Sequence, residues 1–76
     1  MDSDALYAIA DEVCRATGAR VVRPWALVAA AAASAGVIGI ERVGSAEAMG
    51  ATIVALEPLS SANELFAEVA VGVARR

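Results

Sequence analysis

From Pro24 to Ile40 the chain runs for 17 residues without a charged side chain, and seven of them are alanine. Five of the alanines, Ala29 to Ala33, are consecutive. No other feature narrows the possible folds as much. Alanine has the best intrinsic helix propensity, so the run predicts a helix. It also has almost no side chain, so that helix is smooth on every side and neighbours can approach it closely. Pro24 suits a first helical position and biases Arg23 away from helix. A helix over 25–35 is therefore expected, with Gly36 as its natural end.

A membrane span is the competing use of residues 24–40. At 1.5 Å per residue they reach about 26 Å, short of the roughly 30 Å hydrocarbon core. The alanines, Ser34, Gly36 and Gly39 weaken the hydrophobic drive, although Arg20, Arg23 and Trp25 would suit a membrane flank. The balance favours a buried helix and makes a membrane partner the lesser reading.

The flanking segments carry ordinary helix signals. Leu6, Ile9, Ala10, Val13 and Cys14 recur at helical spacing and predict a first helix over 4–17. Ser3 is the expected cap, Asp11 and Arg15 the expected ion pair, and Gly18 the left-handed stop. Val37 to Ser45 reads as a loop or short strand, because β-branched residues alternate with Gly39 and Gly44. A third helix over 46–57 follows, with Ser45 as cap and Met49, Ile53 and Leu56 on one stripe. Thr52, Ile53 and Val54 leave a strand over 51–56 as the alternative. Pro58 ends the segment in either case. Ser61 and Glu64 have capping-box spacing and announce a fourth helix. Its apolar face is Leu65, Phe66, Val69, Ala70 and Val73, with Val71 off that stripe. The reading is all-α: a small bundle of about four short helices forming one domain over 1–76.

Composition then excludes most chemistry. The chain has 76 residues, 20 of them alanine, with six arginines and no lysine, histidine or glutamine. Without histidine there is no His-based triad and no His metal ligand. One cysteine excludes an internal disulfide and a structural zinc site. The net charge of −3 argues against nucleic-acid binding. Cys14 lies near the first apolar stripe without an activating base, so it is expected to be a small core residue. Asp11 and Glu12 diverge by about 100° on a helix and do not converge on a shared proton or metal. The glycines fit no phosphate-loop spacing. No catalytic, cofactor-binding or metal residue is therefore expected. Met1-Asp2-Ser3-Asp4 is unlike the basic leader of a secretory signal, which favours a cytoplasmic setting. Arginine in place of every lysine, with abundant Ala, Val and Gly, fits a G+C-rich actinobacterial or bacteriophage gene.

Leu6-Tyr7-Ala8-Ile9-Ala10-Asp11-Glu12-Val13 and Val22-Arg23-Pro24-Trp25-Ala26-Leu27-Val28 together resemble the opening of death-on-curing (Doc/Fic-type) toxins. In this chain Pro24 stands where that family usually has aspartate, and Ala26 where it has glycine. Gly39-Ile40-Glu41 resembles the family's flap, and Ser61 to Arg76 resembles the helix leading into its active site. The catalytic His-Pro-Phe-x-x-Gly-Asn loop has no counterpart here. The resemblance thus implies the non-catalytic half of such a toxin and assigns no catalytic residue.

What remains is association. About 60% of the chain surface is buried in a domain this small, which is marginal for a lone monomer. Trp25 and Tyr7 are expected at the rim of the core with their polar ends in water, and either can anchor an interface. Trp25, Leu65, Phe66, Val69, Val71 and Val73 are the candidate interface residues. The functional expectation is a non-enzymatic protein–protein interaction module that forms a homo-oligomer and modulates a host or partner protein, as in toxin–antitoxin or phage systems. The alternatives are a small membrane-inserted protein using residues 24–40 and a Fic-like fragment completed in trans.

Overall fold

Leu6, Ala10 and Val13 form the buried stripe of helix α1 (Ser3–Thr17) in the computed structural model, which describes residues 1–35 and 45–76. Asp2 caps α1 in place of the expected Ser3, its carboxylate accepting from the Ala5 N–H at 2.8 Å. An aspartate there satisfies an orphan donor and adds negative charge at the positive end of the helix. Gly18 ends α1 as expected, at φ 80°, with its N–H donating to the Cys14 carbonyl at 2.8 Å. Arg15 pairs with Glu12 at 3.1 Å rather than with Asp11. Both spacings make neighbours on a helix, and the pair is so exposed that little energy rests on the choice.

Helix α2 (Pro24–Ser34) starts at its proline and buries Ala26, Leu27, Ala30 and Ala31. Its 11 residues make about 16 Å, roughly half a hydrocarbon core. No helix among the described residues is long and apolar enough to cross a membrane. Helix α3 (Ser45–Leu56) is helical throughout, which removes the strand alternative over 51–56. Met49 and Ile53 on it are fully buried. Helix α4 (Asn63–Ala74) contributes Phe66, Ala67 and Ala70. Of the loop or strand expected over 37–45, residue 45 is instead the first residue of α3, and the rest lies outside the described residues, as do the Gly36 stop, the Ser45 side-chain cap and the flap-like Gly39-Ile40-Glu41.

The helices form a ring in chain order. The seam between α2 and α3 is the most extensive, α4 packs on α3, and α1 closes the ring against α2 and α4. Among the described residues α2 and α4 share no contact, so they stand at diagonal corners. Leu6, Leu27, Met49, Ile53, Leu59 and Phe66 fill the centre as one cluster. This is a small all-α bundle, as the sequence predicts.

The two short connectors are laced together. The Val22 and Arg23 N–H groups both donate to the Pro58 carbonyl, at 2.9 and 3.0 Å. The Ser60 N–H donates to the Arg20 carbonyl at 2.8 Å, and the Arg20 N–H to Ser60 Oγ at 2.9 Å. This patch buries Pro58 and Leu59 while giving the connector backbone partners it would otherwise find in water. It also explains why the expected capping box is not made. Asn63 accepts from the Leu59 N–H at 2.9 Å and donates to the Leu59 carbonyl at 3.0 Å. Helix α4 consequently begins at Asn63, after Ala62 in the left-handed region at φ 61°, with no side-chain cap. Ser61 and Glu64 are then out of register for the reciprocal pair.

A Cβ added at Gly18 would meet nothing within 4 Å, so its positive φ is the sole obstacle to a larger residue. Gly18→Ala should therefore cost about 1–2 kcal/mol, the strain of an L-residue in that region. Denaturant melts measure it directly. An unchanged midpoint would show that the left-handed cap is dispensable.

Candidate interaction site

Residues four apart on a helix stack on one face. Leu65, Val69 and Val73 are such a set, and on α4 they are 43%, 39% and 36% exposed. Phe66, one position on, lies about 100° further round and is fully buried. It belongs to the core, and its expected place in the interface is corrected. Val71, expected to point outward, is half-buried and packs against the core. The reason lies across the seam on α3. Gly50 has no side chain there, and a Cβ built on it would come within 2.8 Å of Val71 Cγ2. Val71 fills the space that a helix-interior glycine leaves open.

A second apolar surface lies on α2. Trp25 is 59% exposed and Val28 56%, with Ala29 and Ala32 half-buried beside them. Tyr7 packs at the rim of the core as expected, whereas Trp25 does not. Ala26 and Leu27 take the inward positions of the first turn, which leaves Trp25 facing out. The exposure of Val28 has no signal in the sequence, because a helix without charges offers no polar face against which to define an outer one.

Between α3 and α4 runs an open groove of about 790 Å³, lined by Gly50, Ala51, Val54, Val71 and Gly72, with Glu64 and Glu68 also on its wall. Two helix-interior glycines were the available signal for it. Glu47 in the first turn of α3 is paired with Arg75 at the end of α4, and both line the groove. The Arg75 hydrogen bond, the Glu47 backbone N–H and the Arg75 charge hold the Glu47 carboxyl below its ordinary 4.5. Cys14 is half-buried, and burial, with the Asp11 charge second, pushes its thiol above 9.0. That disfavours the thiolate a nucleophile needs. Among the described residues no group of three or more His, Cys, Asp or Glu side chains is placed to hold a metal ion. Compared with protein families, curated proteins and solved structures, the chain matches none.

Gly50→Ala pits a gain in helix propensity of about 1 kcal/mol against an overpacking cost of about 1–3 kcal/mol. In the native background it should destabilise the protein. In a Val71→Ala background it should stabilise by about 1 kcal/mol. A double-mutant cycle without coupling would show that the two residues do not touch.

Glu47 titrates below its ordinary value in the folded chain, so its contribution is complete above pH 4.5 and disappears as pH falls through the lower folded value. Arg75→Ala should flatten the acid limb of the stability curve below pH 4.5, most clearly at low salt. Superimposable acid limbs for the two proteins would mean that the pair does not persist in solution.

Proposed function

We propose that this chain is a non-enzymatic protein-interaction module that binds and modulates another protein in the cytoplasm of a bacterial or phage-infected cell. The observation that carries this reading is the exposed stripe Leu65, Val69 and Val73, on a corner of the bundle diagonal to the exposed Trp25 and Val28. Exposed apolar residues grouped on one face mark interaction surfaces more often than scattered ones do. The α4 stripe has the spacing of a helix face that docks in a partner's groove or against a partner helix. The other corner leaves room for self-association, so a homo-oligomer is part of the proposal.

The absence of histidine and lysine from the sequence and the unactivated Cys14 support a binding role over a catalytic one. Kinship to the non-catalytic half of Doc/Fic-type toxins belongs to the same proposal, on the stretches Leu6 to Val13 and Val22 to Val28. It gives no residue a catalytic role.

The test is capture of partners by the tagged chain, alongside Val69→Glu. The exposed position should keep the variant within about 0.5 kcal/mol of native stability, with an unchanged helical spectrum. Native chain should retain a specific partner that Val69→Glu loses. Equal recovery of that partner by both would remove α4 from the binding surface.

A further inference from the structure

We propose that the outer face of α2 is the two-fold interface of a homodimer, in which α2 packs antiparallel against α2 of a second copy. The inference rests on the reading of this protein as an association module and names the partner of its second face. A helix that is apolar all round belongs in a buried setting. Helix α2 has no charged residue from Pro24 to Ser34, yet α1 and α3 cover only part of it. The least covered part is the stripe of exposed Trp25 and Val28 and half-buried Ala29 and Ala32, at positions i, i+3, i+4 and i+7.

The order of sizes along this stripe selects the occupant. Its first two residues are large and its last two are alanine. An antiparallel copy centred between 28 and 29 sets Trp25 against the partner's Ala32, and Val28 against the partner's Ala29. Every large side chain then meets a small one, and the same contacts recur across the two-fold axis, as an isologous interface requires. A parallel copy would crowd tryptophan on tryptophan and leave a gap between alanines. With no charge on the stripe, two copies approach without repulsion there, although each chain carries −3 overall.

Sedimentation equilibrium of the full chain should give a monomer–dimer equilibrium. Trp25 is the single tryptophan, so its emission should shift to longer wavelength on dilution with the same midpoint. Val28→Glu would set two carboxylates at the two-fold axis and should weaken association at least tenfold without loss of helix. In a Cys14→Ser background, Val28→Cys should form an interchain disulfide under mild oxidation. Ala32→Cys should not, because antiparallel pairing separates the two copies of residue 32 by about 10 Å along the axis, beyond the roughly 7 Å a disulfide spans. Disulfides at both positions would indicate a parallel pair, and disulfides at neither a different contact. Either result overturns the proposal, as does a monomer at all concentrations. A monomer whose partner capture still depends on Val69 would overturn the dimer alone and leave the α4 reading standing.

Discussion

The architecture depends on the alanine surface of α2. Neighbouring helices can seat their larger side chains against a helix whose inward residues are Ala26, Leu27, Ala30 and Ala31. Those larger groups, Leu6 of α1 and Met49 and Ile53 of α3, are fully buried in one cluster with Phe66 of α4. The arrangement has a consequence. A helix without polar residues cannot present a solvated face, so whatever α1 and α3 leave uncovered is apolar too. Trp25 and Val28 are exposed because the helix that makes close packing possible has no outward-facing polar side to offer.

The second constraint is the laced pair of connectors at one end of the ring. Val21 and Leu59 form an isolated antiparallel bridge, and Arg23 adds a guanidinium bond to the Glu57 carbonyl at 2.9 Å. These bonds join the entry of α2 to the exit of α3, which are neighbours on the most extensive seam. Glu57 and Ala62 adopt left-handed conformations, at φ 51° and 61°, to make the turn around Pro58 and Leu59. Such strain persists only where surrounding contacts determine it, here the burial of Pro58 and Leu59 and the clasp of Asn63.

Much of this was legible in the sequence where one physical rule acted alone. The apolar period of α1, the Gly18 stop and the Pro24 start are local signals, and each appears in the structure as read. The sequence reading failed where two rules competed for the same atoms. Asn63 could cap a helix or hold a turn, and the buried backbone of Leu59 decided the outcome over the Ser61 and Glu64 pattern. Val71 looks surplus on its own helix because its partner is an absence on another, the missing side chain of Gly50. Periodicity counted along one helix cannot register that. By sequence Phe66 fits both the apolar face and the interface, since a sequence shows that a residue is apolar but not which side of the stripe finds a neighbour first.

Helix α2 packs closely because three of its four inward residues are alanine. The thermodynamic stability of Ala30→Leu measures that closeness. Ala30 is fully buried, and leucine is nearly as good a helix former, so steric fit is what the substitution probes. Forcing the larger side chain into this seam should cost about 1–3 kcal/mol. Val28→Leu, on the exposed side of the same helix, should change stability by less than about 0.5 kcal/mol. An Ala30→Leu protein as stable as the native chain, or more stable, would show that the seam has room and that α2 is not closely packed.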